Sequence, residues 1–215
     1  MVHRVFRNAR IPNEVVGVGV DLPEDRRPDR FRERHGIEGP YFLYVGRIVE
    51  SKGMPELFDH WARWQDRAQR KATLVLMGHR EMEIPQRADV RYLGPLPDED
   101  KYDAFEGCEA FLMPSRLESL SIVTLEAWAC ARPVVVSAAS PVLASMGRRA
   151  GAGIPYASGA EFAELCELLV ERPDLRDRLG RRGATFVRGT YTWPAVVEKY
   201  LDLFAEVAAR GLPAA

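Results

Sequence analysis

Cysteine is scarce in this chain, with only Cys108, Cys130 and Cys166 among 215 residues. They are odd in number, widely spaced and set in apolar helical surroundings. That excludes a disulfide framework or a zinc knuckle and fits reduced core thiols in a cytoplasmic protein. Excess charge is lacking as well: the formal net charge of -1 gives no clustered positive field for nucleic acid or an anionic membrane, so any phosphate binding must be local. No apolar run approaches the roughly 18 to 20 residues of a spanning helix, and Met1-Val2-His3-Arg4-Val5-Phe6-Arg7 is too short and too charged for a signal peptide. The histidines His3, His35, His60 and His79 have no carboxylate or cysteine at ligand spacing. They read as surface or loop residues, and no metal site is expected. Gly17-x-Gly19 and Gly151-x-Gly153 each lack a third glycine, since Leu22 and Tyr156 stand there, so no nicotinamide cofactor is implied.

What is present is a composition of 47% hydrophobic and 28% charged residues, enough for one domain with a sizeable core. Short apolar runs rich in β-branched and aromatic residues recur at Tyr41–Val45, Thr73–Met77, Val90–Leu93, Ala110–Met113 and Val134–Ser137, and read as five buried strands. Between them lie helical periods. Met54, Leu57, Phe58, Trp61 and Trp64 share one stripe and read as helix-packing residues, and Asp98–Cys108 opens with acids suited to a helix N-terminus. The alternation predicts an α/β, Rossmann-like, doubly wound parallel sheet.

After Ser137 the pattern turns mostly helical. Helices are expected at Glu161–Glu171, at Asp174–Val187 opened by Pro173, and at Ala195–Arg210, where Thr192 suits a cap. The arginine-rich run Arg178–Arg188 reads as a solvated helix face. Residues 1–40 read as a linker and lead-in, with one helical turn at Arg30–His35; 41–192 as the main domain; 193–215 as a C-terminal helix.

Ligands of such sheets bind beyond the carboxyl ends of the strands, at the loops starting at Gly46, Gly78, Gly94, Pro114 and Ser137. Gly46-Arg47-Ile48-Val49-Glu50-Ser51-Lys52-Gly53 places two cations beside flexible glycines, which suits a phosphate; ordinary surface charge is the competing reading. The run from Pro114 to Ala127 carries Glu118 ahead of a helix and Glu126 inside it. Carboxylates accept hydrogen bonds from vicinal hydroxyls, and free amides at Ser121–Val123 would face an anion. Singly, either glutamate is equally a solvated helix charge.

Together, Gly46-Arg47, Lys52-Gly53, Glu118-x7-Glu126 and Ala131-Arg132-Pro133-Val134-Val135-Val136 resemble the C-terminal, donor-binding domain of the retaining glycosyltransferases of GT-B fold, family 4. Gly17-Val18-Gly19-Val20-Asp21 and Tyr191-Thr192-Trp193 are also similar to that largely bacterial family, so the resemblance covers nearly the whole chain. It implies a nucleoside-diphosphate sugar as donor substrate, hexosyl transfer, and no metal or other cofactor. Arg47 and Lys52 would hold the diphosphate, Glu118 approach the transferred sugar and Glu126 hold the ribose; these first three would be the catalytic set. The backbone of Leu120, Ser121, Ile122 and Val123 would meet sugar and phosphate, and Gly46, Gly78, Gly94 and Leu96 would line the nucleotide.

Three positions depart from the family pattern. Ser121 stands where glycine is common and would cap the helix or narrow the sugar site; Ala131 replaces a frequent glycine, read as a packing difference; Ser140–Ala152 lacks an acid often found there. The resemblance further implies a separate N-terminal acceptor domain as partner, in cis or trans, on which the last helix would pack. The chain by itself is then expected to bind donor weakly and transfer little. A full-length enzyme would be cytoplasmic or peripheral to a membrane. A non-catalytic sugar-nucleotide-binding module and a GT-B epimerase remain as alternatives.

Overall fold

The computed structural model describes residues 14–21 and 25–210. Met1–Arg7, His3 and Leu22 lie outside them, as does part of the segment read as a linker. Among the described residues six strands form one parallel sheet: β1 (Tyr41–Val45), β2 (Thr73–Met77), β3 (Val90–Gly94), β4 (Ala110–Met113), β5 (Val134–Ser137) and β6 (Gly153–Tyr156). Their order is β3-β2-β1-β4-β5-β6, so the direction of winding reverses between β1 and β4. That reversal opens a crevice at the carboxyl ends of these two strands.

Strand side chains alternate between two apolar layers because successive residues point to opposite faces. Tyr41, Leu43, Val75, Met77, Phe111, Met113, Val134 and Val136 pack on one side. There they meet α1 (Pro28–His35), α3 (Asp98–Gly107), α4 (Ile122–Ala129), α5 (Pro141–Ala150) and α7 (Pro173–Thr190). Phe42, Tyr44, Leu74, Leu76, Leu112 and Val135 face the other way, against α2 (Met54–Arg67) and α6 (Gly159–Glu171). Trp61 and Trp64 are buried there as expected, edge-on to Phe42. All three cysteines are buried free thiols; burial pushes those of Cys108 and Cys130 up to about 12.

The structure differs from the sequence reading in several places. Gly153–Tyr156 is a sixth strand, at the sheet edge, where Pro155 needs no ladder donor. Gly151, in the left-handed region, ends α5, so the second glycine pair is a helix stop followed by a strand. Part of the presumed linker is α1, a two-turn helix that inserts Phe31 into the core. His35 and His60 are not ordinary surface histidines: His35 Nε2 lies 3.0 Å from Asp100 Oδ1, and His60 packs edge-on to Tyr156.

Gly19 and Val20 of the lead-in also pack on the domain. Val20 N–H donates to Tyr191 O at 2.7 Å, and a side chain at Gly19 would collide with Trp193. Thr192 Oγ1 accepts from the Ala195 amide at 3.4 Å, in keeping with its expected capping of α8 (Trp193–Arg210). The outer face of α8 carries Leu201 and Phe204, each 61% exposed. Arg178, Arg181, Arg182 and Arg188 are exposed along α7, whose Gly180, Gly183 and Val187 face inward. No helix among the described residues is long and apolar enough to cross a membrane.

Candidate functional site

Three loops meet at the crevice with their backbones in contact. A Cβ at Gly78 would lie 2.1 Å from Gly46 O, and one at Gly53 would lie 2.5 Å from Pro114 O. Glycine is therefore required by close approach, and at both positions also by a positive φ, 129° at Gly78 and 75° at Gly53. Gly78 N–H donates to Gly94 O at 2.8 Å, so Gly46, Gly78 and Gly94 form one continuous floor across β1, β2 and β3. Tyr44 OH donates to Arg47 O at 2.7 Å and fixes the start of the first loop; burial, with the Glu118 charge adding to it, holds this phenol above its ordinary range.

The structure brings Lys52 and Glu118 together. Lys52 ends a short 3-10 helix, Glu50–Lys52, and its Nζ lies 2.7 Å from Glu118 Oε1 on the loop after β4. That loop is braced by the fully buried Ser115, whose hydroxyl donates to Leu117 O at 3.2 Å. Arg47 is not part of the pair: it is 62% exposed along its side chain and makes a loose 3.5 Å contact with Glu81. An exposed cation at the rim and a second beside a carboxylate place positive charge at the crevice, which suits an anion.

Glu126 sits apart from that pair, on α4, and is held by α3. Lys101 Nζ lies 2.9 Å from Glu126 Oε1, and Tyr102 OH donates to the same oxygen at 3.2 Å. Burial opposes the Lys101 charge, yet hydrogen bonds to Asp98 and Glu126 outweigh it and raise the ammonium above the ordinary lysine range. Burial, then the Glu126 charge, pushes the Tyr102 phenol up. The sequence reading missed Lys101 and Tyr102; the available signal was a lone lysine on the inward side of an acidic helix start.

The N-terminus of α4 opens into the crevice loop. Its first amides have no acceptor within the helix, which leaves a local positive end. Leu120 and Val123 pack partly on the core, whereas Ile122 is exposed. Ser121 has a φ of 63° and makes no side-chain cap; its hydroxyl instead pairs with Thr124 Oγ1 at 2.8 Å. Serine therefore occupies a glycine-like backbone without capping the helix. Ala131, with φ 54°, likewise holds a left-handed conformation at the end of α4, a backbone departure rather than the expected packing difference.

Leu96 packs partly buried on the core in the turn that leads to α3. His79 is exposed on the loop after β2, and its carbonyl accepts from the Ile48 amide at 2.8 Å. Beside the Lys52–Glu118 pair lies a recess of about 350 Å³, lined by Glu56, His60, Pro114, Arg116, Ser137 and Tyr156. Arg116 Nη2 and Glu56 Oε1 close one edge at 2.6 Å, a pairing across loops that the sequence reading did not anticipate.

The family model of glycosyl transferases group 1 matches residues 25–186. This chain belongs to that family. It is 28% identical over 203 residues to the alpha-D-kanosaminyltransferase of Streptomyces kanamyceticus, covering 87% of this chain and 51% of that protein. It is 29% identical over 211 residues to the D-inositol 3-phosphate glycosyltransferase of Frankia alni, with coverage of 87% and 51%. The chain thus spans about half the length of these group 1 relatives. Its fold matches HepE of Anabaena, solved in complex with UDP-glucose, with a TM-score of 0.71 at 16% identity, covering 89% of this chain and 56% of that one. The sheet is the Rossmann-like C-terminal half of a GT-B fold.

Proposed function

We propose that this group 1 domain binds a nucleoside-diphosphate sugar and serves retaining transfer of a hexosyl group to an acceptor hydroxyl. The observation that carries the reading is the Lys52–Glu118 pair at 2.7 Å, at the winding reversal and beside the open N-terminus of α4. Retaining transfer needs positive charge on a departing diphosphate and a polar wall beside the sugar. Lys52, Arg47 and the α4 amides supply the first, and Glu118 with the Leu120–Val123 backbone supplies the second. Glu126 accepts from the ribose hydroxyls, and Gly46, Gly78, Gly94 and Leu96 line the nucleotide. The leaving diphosphate takes the acceptor proton on the same face, with no step that calls for a metal or a further cofactor. The names of the relatives, and the UDP-glucose bound to HepE, support a sugar-nucleotide donor.

The partner in this reading is an acceptor-binding half, in cis or trans, facing the crevice and covering the apolar side of α8. The whole enzyme works in the cytoplasm, free or at a membrane surface, and the domain alone transfers little. Calorimetric titration with UDP, GDP and ADP, without added metal, tests the reading. One of them binds, and the Arg47→Ala/Lys52→Ala double variant weakens it by about 100-fold, the sum of two charged hydrogen bonds. No binding by any of the three overturns the reading.

A further inference from the structure

We infer that Lys101 and Tyr102 are positioning residues that hold one oxygen of Glu126 and present the other to the ribose, so that the site selects ribonucleotides over deoxyribonucleotides. The inference rests on the donor-binding reading above. Its physical basis is the asymmetry of the Glu126 carboxylate. Lys101 Nζ, at 2.9 Å, and Tyr102 OH, at 3.2 Å, both end on Oε1. Among the described residues no hydrogen bond to Oε2 is made. A carboxylate oxygen accepts two hydrogen bonds, and a vicinal diol offers two donors.

Neighbouring helix residues leave the axis in directions about 100° apart, so two of them converging on one oxygen fix both the position and the plane of the carboxylate. The lysine is itself held. Its Nζ lies 2.9 Å from Asp98 Oδ1 and 4.6 Å above the Tyr102 ring. On its other side α3 is anchored to α1, through Arg30 on Asp103 and Arg34 on Asp100. The clamp is thus held through one oxygen, with Oε2 free of protein partners among the described residues, the arrangement in which a ligand hydroxyl gains most because little freedom is left to lose. The helix that carries it starts directly after the Gly94–Pro97 turn, so one segment sets both the floor of the nucleotide site and the ribose acceptor.

The test titrates the chain with UDP, GDP and ADP, their 2′-deoxy and 3′-deoxy forms, and inorganic pyrophosphate. Wild type, Tyr102→Phe, Lys101→Met and Lys101→Arg are compared. Wild type favours the ribonucleotide by about tenfold, the worth of one hydrogen bond to a charged group. Tyr102→Phe and Lys101→Met bring that ratio toward one with pyrophosphate affinity unchanged, and Lys101→Arg restores it. Thermal unfolding accompanies each variant, and if Lys101→Met fails to fold, the single hydroxyl removed in Tyr102→Phe decides. Equal losses for ribo and deoxy forms, or an undiminished ratio in the variants, overturn the clamp and leave the donor reading standing. A wild type that binds nucleotide with no ribose preference does the same. If wild type binds none of the nucleotides, the donor reading falls and takes the clamp with it.

Discussion

Two groups of ion pairs in this domain use the same chemistry to different ends. Between α1 and α3, Asp103 is fully buried and both its oxygens are engaged: Oδ1 accepts from the Arg27 amide at 2.7 Å and from Arg30 Nη2 at 2.9 Å, and Oδ2 accepts from Arg30 Nε. At the crevice, Glu118 has one lysine on one oxygen, and Glu126 has both its partners on one oxygen. Partners on both oxygens mark a carboxylate that holds the fold, because the protein orients the whole group. Among the described residues Glu118 and Glu126 each keep one oxygen without a protein partner, and the proposed ligand contacts rest on that. The distinction lies in geometry, since all three are acids beside cations.

Removing one partner of an ion pair from each group separates the two most sharply. Asp103→Ala strands Arg30 and the Arg27 amide, and costs about 3 kcal/mol, the low end for a broken buried pair because Arg30 still reaches water. Lys52→Ala, at the partly exposed crevice pair, costs less than about 1 kcal/mol of stability. Urea unfolding of both variants checks this, and equal losses would erase the contrast.

Acid should weaken the buttress between α1 and α3. Burial disfavours the Asp103 charge, but the Arg30 guanidinium, the Arg27 amide and the surrounding arginine charges outweigh it and hold the carboxyl below its ordinary range. A group depressed in the folded state contributes fully above the ordinary carboxylate range, and its contribution is lost as pH falls through the depressed value. Asp103→Asn should therefore lose less stability than wild type between about pH 5 and pH 2. Parallel urea midpoints across that range would remove Asp103 from the account.

The smallest effect concerns the crevice backbone. Ser121→Gly relieves a left-handed serine and gives up the hydroxyl pair with Thr124, so the two changes offset to within about 1 kcal/mol. Thermal unfolding should shift by only a few degrees, and a loss of several kcal/mol would show the Ser121–Thr124 pair to be a main support of the α4 start.

Legibility in the sequence followed the same division. The first five strands were readable because β-branched and aromatic runs between glycines and prolines admit few other structures. β6 was not: Gly153-Ile154-Pro155-Tyr156 resembles a turn, and only pairing with β5 makes it a strand. α5 was not read although Leu143, Met146 and Ala150 recur at helical spacing, because Gly147 and Gly151 punctuate so short a segment, and α1 was read only as one turn at Arg30–His35 because its charged sequence has no apolar stripe beyond Phe31. Of the site, the glycines and the charged positions could be named, yet their partners could not. Lys52 finds Glu118 across 66 residues, and Glu126 meets Lys101 across 25.

By itself, the sequence determined the class of fold, the inward faces of the main helices, the loops that form the crevice and the family to which the chain belongs. These follow from local patterns: periodicity, punctuation, and motifs confined to one loop and one helix. Only the tertiary structure decided which cation faces which carboxylate, that Arg47 stays at the rim while Lys52 turns inward, and that among the described residues one acid has partners on both oxygens while two have them on one. Those outcomes depend on helix packing and loop contact between segments far apart in the chain, where a shift of a few ångströms makes or breaks a hydrogen bond.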